Sequence, residues 1–251
     1  MEITFNIFAL PDNQFIMLHR YTITIRDAEF NLIRRISDIN GESFNADEVE
    51  INTKMKCLYI INKLTNTILM TDYDFKLIKS KILHYCDAYI AKLSFHDSTL
   101  YLCDCELQKI FVYSQNLIFE CYIELGNMPL QILVRNSLLY VEYNKSIHIY
   151  HVYKEKDGEK CFRNLRHIRK SSSLRMCEIS SFYFAVNFES KSVYFYDGRG
   201  RFRRRVELTG QVANFLKSRT DGHFIQLNDK LLMFSRSENK IISFTKESLD
   251  H

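Results

Sequence analysis

Tryptophan is absent from these 251 residues, and glycine (seven) and proline (two) are scarce. Turn chemistry that relies on glycine therefore has little to draw on. No apolar run approaches the roughly 18 residues of a membrane span. The first stretch, MEITFNIFALPDNQ, carries neither a basic n-region nor a long apolar h-region, so no secretory signal is expected. The motifs GxSxG, HExxH, GxGxxG and the P-loop are all missing, which removes the common nucleophilic, zinc-hydrolytic and nucleotide-binding signatures. GRGR (198–201) is followed by no helical pattern and reads as a turn, not a phosphate cradle. What is present is a chain that is 46% hydrophobic and 25% charged, enough for a large core and against disorder. Its 19 phenylalanines and 15 tyrosines favour strands.

The seven cysteines (57, 86, 103, 105, 121, 161 and 177) show no CxxC spacing. A metal site needs convergent ligands at such spacings, so no metal and no cofactor are expected. His148 and His151 in HIYH are three apart, and in a strand they point to opposite faces. The cysteines read as buried apolar residues. Without a secretory signal, the expected location is cytoplasmic, with the nucleus as the alternative.

One pattern returns six times. Alternating runs read YTITIRD, NTILMTD, QKIFVYS, KSIHIYH, KSVYFYD and NKIISFT, anchored at Ile23, Ile68, Ile110, Ile147, Val193 and Ile241. The intervals are 45, 42, 37, 46 and 48 residues. Four residues after each anchor stands a polar residue (Asp27, Asp72, Ser114, His151, Asp197, Thr245), as expected where a strand enters a turn. Each run follows another apolar run across a short polar link, such as KLTN (63–66), which makes a hairpin. Further runs flank these hairpins, EVEIN (48–52) before and KLIKSKIL (76–83) after, for example. Four short strands every 44 residues or so is the signature of a propeller blade, and two-residue alternation argues against helix pairs.

The expected fold is therefore all-β: a six-bladed β-propeller of four-stranded antiparallel blades, in one domain over 1–251. Approximate blades are 5–40, 46–84, 88–126, 130–170, 174–209 and 212–251, with FNIFAL (5–10) as the first strand. The last copy stops soon after KIISFT (240–245), so residues 1–6 are expected to supply its outer strand and close the ring.

Two copies, LYIINKLTNTILMTDYDFKLI (58–78) and FYFAVNFESKSVYFYDGRGRFRRRVEL (182–208), resemble the NHL repeat. Asn62 and Asn187, then Asp72 and Asp197, occupy its polar positions, whereas Ser114, His151 and Thr245 depart from its Asp. The absence of a tryptophan–aspartate dipeptide weighs against a seven-bladed WD-type ring. The resemblance implies a binding domain like those at the C-termini of tripartite-motif ubiquitin ligases, some of which bind RNA and others proteins. Related six-bladed rings are metal-supported enzymes, so a lyase or hydrolase is a remote alternative.

Charge supplies the residue-level evidence. The net +4 hides 12 Lys/Arg against 17 Asp/Glu in residues 1–125 and 22 against 13 in the rest. Residues 160–206 alone hold 12 basic residues against Glu178, Glu189 and Asp197. KCFRNLRHIRKSSSLR (160–175) spans the outer strand of blade four and the loop into blade five, and offers Arg163, Arg166, Arg169, Lys170 and Arg175. GRGRFRRRVEL (198–208) offers Arg199, Arg201, Arg203 and Arg205. In an extended strand the last three share one face, opposite Phe202, Val206 and Leu208, which pack on the blade. Such a stripe suits bidentate phosphate contact, and the two segments, in adjacent blades, are expected to form one patch. The bland reading is edge protection, which needs only one or two charges per strand. His96 with Asp97, and Asp104 with Glu106, are strand-end pairs that ordinarily solvate a turn. The expected function is thus a non-catalytic module binding RNA or another polyanion, with no membrane association. The alternative is a protein-interaction scaffold with an acidic partner.

Overall fold

The computed structural model describes residues 4–46, 48–84, 91–135, 137–154, 160–169, 174–179, 182–187, 192–196, 201–207, 222–227, 230–235 and 240–245. Among them there is no helix, and hence none long and apolar enough to cross a membrane. The first sheet holds β1 (Thr4–Ala9), β2 (Phe15–His19), β3 (Ile23–Arg26) and β4 (Leu32–Ile36) in that order. A small ladder, β5 (Asp38–Ile39) with β6 (Glu42–Ser43), leads to the second sheet. That sheet is β7 (Val49–Asn52), β8 (Cys57–Asn62), β9 (Thr67–Asp72) and β10 (Leu77–Ile82). The third is β11 (Ala91–His96), β12 (Thr99–Asp104), β13 (Lys109–Ser114) and β14 (Phe119–Glu124). The fourth is β15 (Gln131–Arg135), β16 (Leu138–Glu142), β17 (Ser146–Lys154) and β18 (Lys160–Arg169). The fifth is β19 (Leu174–Ile179), β20 (Phe182–Asn187), β21 (Ser192–Tyr196) and β22 (Phe202–Glu207). The last described sheet is β23 (Gly222–Leu227), β24 (Lys230–Ser235) and β25 (Lys240–Thr245). Every pairing is antiparallel between chain neighbours, as the repeat pattern requires.

The second strand of each of the first four sheets, such as β8 and β12, is buried along its length. Leu58 and Ile60 of β8 pack against Ile16, Leu18, Ile23 and Ile25 of the first sheet. Cys57, Tyr59 and Ile61, on the other face, pack against Leu100, Leu102, Phe111 and Tyr113 of the third. Tyr101, Cys103, Ile110 and Val112 then meet Ile132, Val134, Leu139 and Val141 of the fourth. An all-apolar run here still alternates, but between two neighbouring sheets rather than between core and water. The innermost strands β7, β11 and β15 lie side by side, as do β19, β23 and β1. A buried hydrogen bond from the Val134 amide to Ser94 Oγ, 2.9 Å, ties β15 to β11.

Residues 4–6 do not take the place the sequence reading gave them. Thr4, Phe5 and Asn6 lie in β1, where Thr4 pairs with His19 and Asn6 with Leu18, not on the outer edge of the last sheet. The reason is packing: this register buries Ile7 against Phe15 and Met17. Residues 1–3 are outside the described set.

The turns explain how so few glycines suffice. Among the described residues, eleven non-glycine residues adopt positive φ, against one glycine, Gly41. Three of them repeat one turn. Asp27, Asp72 and Ser114 end β3, β9 and β13, and three residues later Phe30 (φ 65°), Phe75 (φ 61°) and Leu117 (φ 59°) are left-handed. Each of these donates its amide to the backbone carbonyl of the polar residue, at 3.0–3.1 Å. The polar side chain caps the same turn: Asp27 Oδ1 accepts from the Asn31 amide and Asp72 Oδ1 from the Lys76 amide, both at 2.8 Å. Ser114 Oγ accepts from the Ile118 amide at 3.2 Å. Its hydrogen bonds to Asn31 hold the Asp27 carboxyl below its usual range. Phe75 and Leu117 are buried, at 4% and 2% exposure. Burial of an apolar side chain thus sustains a backbone conformation that glycine would adopt without strain.

Candidate interaction surface

Among the described residues, all five outer strands carry a β-bulge at the same place. Ile25 pairs with Arg34, Met70 with Lys79, Val112 with Cys121, Ile149 with Arg166 and Phe195 with Arg204. One residue before each of these partners stands an extra one: Ile33, Ile78, Glu120, Leu165 and Arg203. A bulge breaks the two-residue alternation on its strand. The arginine stripe is corrected accordingly. Arg203 is the extra residue, Arg204 faces Phe195 and Arg205 faces Tyr194, so Arg201, Arg203 and Arg205 do not line one face. Phe202, expected against its blade, is 56% exposed, with its ring 6.3 Å from that of Tyr194.

Arg205 is engaged within its own sheet. Its Nε donates to Ser192 Oγ at 3.0 Å, its guanidinium lies 5.7 Å from the Tyr194 ring centre, and it pairs with Glu207 at 3.1 Å. Arg163 and Arg166 pair with His151 and Ile149, two residues apart, and so share a face. Arg169 pairs with Ser146 and lies on the other face. Arg175, assigned to a loop from sequence, is the second residue of the innermost strand β19, opposite Val186. Lys170 and Arg199 lie outside the described residues. Arg163, Arg166 and Arg169 of β18 and all four arginines of 201–205 are exposed.

The common register gives a second use for basic residues on outer strands. Arg34 pairs with Asp74 of the next sheet at 3.4 Å, and Lys79 Nζ donates to the Asn116 carbonyl of the next sheet at 2.7 Å. Asp74 and Asn116 each stand two residues after the turn-capping Asp72 or Ser114. Arg166 and Arg204 hold the position of Arg34 and Lys79 in β18 and β22. The adjacent apolar pairs Leu32–Ile33 and Leu77–Ile78 stand at the bulges of β4 and β10.

The β17–β18 hairpin is longer than its counterparts, and its added length reaches the third sheet. Lys160 Nζ donates to Thr99 Oγ1 at 2.7 Å and pairs with the Glu120 carboxylate; its side chain is 7% exposed. This lysine therefore serves packing, while Phe162 packs against the core shared by the third and fourth sheets.

The acidic and thiol groups near the innermost strands are mostly committed to structure. Asp104 is fully buried, and its Oδ1 accepts from the Glu106 and Leu107 amides at 2.9 and 2.8 Å. Burial, with Arg135 nearby, lowers the His96 imidazole below its ordinary range. Lys92 on β11 pairs with the buried Glu48 ahead of β7. The Cys105 thiol is lowered chiefly by its hydrogen bond with Cys103. Cys57, Cys103 and Cys105 are buried, and Cys121 and Cys161 are half-buried. Among the described residues no group of three or more His, Cys, Asp or Glu could hold a metal.

Antiparallel sheets joined in sequence, the second and third each packed between two others, are the pattern of a β-propeller, and comparison with solved structures supports this fold. The β-propeller domain of Cps50 (Swd1) of Myceliophteria thermophila superposes with a TM-score of 0.61, at 9% identity, over 98% of this chain and 96% of that one. Streptogramin B lyase gives 0.64 at 9% identity, over 97% and 83%. BamB of Moraxella catarrhalis gives 0.54 at 10% identity, over 95% and 83%. At these identities the likeness is one of fold. No family model matches the chain. No curated protein matches it either.

Proposed function

We propose that this chain is a non-catalytic binding module: a closed propeller of six NHL-like blades, in the cytoplasm or nucleus, docking a protein with an acidic surface on β18 and β22. The observation that carries the proposal is the set of exposed arginines on these two outer strands. Residues 160–169 contain no acidic residue and residues 201–207 contain one, Glu207. Leu165, 53% exposed, and Phe202 stand among the arginines. Arginine with aromatic and apolar side chains is the composition of a protein–protein interface. The two strands present their arginines on different faces, which fits a contoured partner better than a single phosphate track. The lyase neighbour leaves a remote enzymatic alternative.

A second reading, single-stranded RNA, is favoured by one observation, the exposed Phe202 ring beside Tyr194 and Arg205. Base stacking on such a ring is worth about 1–3 kcal/mol per base. The experiment combines a photo-crosslinking residue at position 165 or 202 with a triple variant, Arg163→Glu, Arg201→Glu and Arg203→Glu. Those three are exposed, and the variant keeps Arg205 and the two arginines at the bulge register, Arg166 and Arg204. Both crosslinking positions should capture the same acidic protein in the native cell, and the triple variant should lose it. Binding of a uridine 20-mer that falls steeply with salt and weakens in Phe202→Ala assigns the surface to RNA instead. Neither result leaves β18 and β22 as charged, solvated edges, and the proposal fails.

A further inference from the structure

We propose that His148 and His167 form a two-histidine chelate for a borderline divalent transition metal, Cu²⁺ most tightly, with water completing the coordination. The two residues are directly opposed across β17 and β18. Directly opposed residues on antiparallel strands have Cβ atoms about 4.5–5.5 Å apart. The bulge at Leu165 creates this pairing: the register beyond it, Tyr150 with Asn164, would extend to place His148 opposite Arg166. The imidazole centres are 5.9 Å apart, with the rings inclined at 48°. A metal–nitrogen bond of about 2.0–2.1 Å puts the metal roughly 3.2 Å from a ring centre, so two rings on one metal stand at most about 6.4 Å apart. The observed separation lies inside that reach.

The surroundings fit a ligand role. The Tyr143 ring meets His148 edge-on at 4.8 Å and Tyr150 lies at 6.3 Å, which orient the imidazole. Fixed orientation of a ligating histidine by its neighbours strengthens binding. His148 is half-buried and His167 exposed, so an ion from solution can enter. Imidazole suits copper, nickel and zinc, and the divalent series places Cu²⁺ first. His151, next in the HIYH run, is on the opposite face, stacked on Tyr153 at 5.7 Å, and takes no part.

The test is titration of the full chain with Cu²⁺, Ni²⁺ and Zn²⁺ by calorimetry, followed by electron paramagnetic resonance of the copper form. One equivalent of Cu²⁺ should bind, more tightly than Ni²⁺ or Zn²⁺, with two nitrogen couplings in the spectrum. His167→Ala, at an exposed position where the fold can be checked by circular dichroism, should weaken Cu²⁺ by an order of magnitude or more and remove one coupling. His151→Ala should bind as the wild type does. A folded His167→Ala protein with unchanged affinity and couplings overturns the proposal, as does a wild-type chain that binds no equivalent at tens of micromolar metal.

Discussion

Phe75 offers a test of how this chain manages with few glycines, because two effects of opposite sign meet at one residue. Its ring is 4% exposed and packs into the core between the first two sheets, while its backbone sits at φ 61°. Phe75→Ala removes the buried ring and keeps the left-handed strain. Truncation of this kind costs about 3–5 kcal/mol. Phe75→Gly removes the same ring but relieves the strain, which is worth about 1–2 kcal/mol for an L-residue in that region. Glycine also costs about 0.5–1 kcal/mol in unfolded-chain entropy relative to alanine. The predicted order is therefore wild type, then Gly, then Ala, with the last two separated by about 0.75 kcal/mol at the centre of a range of about 0–1.5 kcal/mol. Gly below Ala is the usual order at an ordinary strand position, so the sign alone decides. Urea denaturation with a common m-value measures it, and the thermal midpoints should differ by roughly 1–4 °C. If Phe75→Ala is as stable as Phe75→Gly, the buried-ring account of the repeated turn is wrong.

Two further expectations concern charge. Lys160→Ala and Glu120→Ala should each lower stability, and their double-mutant cycle should show coupling on the order of 1 kcal/mol, above the usual exposed pair, because the lysine side chain is only 7% exposed; zero coupling would return Lys160 to the solvated surface. His96 is shifted below 6.5 in the folded chain, so its unfolded form binds a proton first as pH falls. Its contribution is fully present above 6.5 and is lost as pH drops through the lowered folded value. Stability between pH 7.5 and 5 should fall less in His96→Gln than in the wild type, and parallel profiles would reject this.

The strand order was legible because each strand lies between flanking turns that the sequence marks with polar residues. The runs anchored at Ile23, Ile68, Ile110, Ile147, Val193 and Ile241 are β3, β9, β13, β17, β21 and β25. The capping role of Asp27, Asp72 and Ser114 was legible for the same reason, since a short side chain at a strand end can satisfy the amides of the following turn. The left-handed phenylalanines and leucine were not. Composition predicts weak turns from scarce glycine, whereas burial of Phe75 and Leu117 supplies the conformation from the core side. That energy is tertiary and has no local signature in the turn.

The arginines show where period-two reasoning ends. It places Arg201, Arg203 and Arg205 on one face only if β22 is regular, and one extra residue at 203 reverses the faces beyond it. Arg204 falls at the register of Arg34 and Lys79, the residues that reach the next sheet. The same displacement brings His167 opposite His148, a pairing that spacing along HIYH excludes because its partner is nineteen residues away on another strand. In this chain a repeat read by period finds the strands, and only the register of the bulged outer strands groups Arg166 and Arg204 with Arg34 and Lys79, which reach the next sheet.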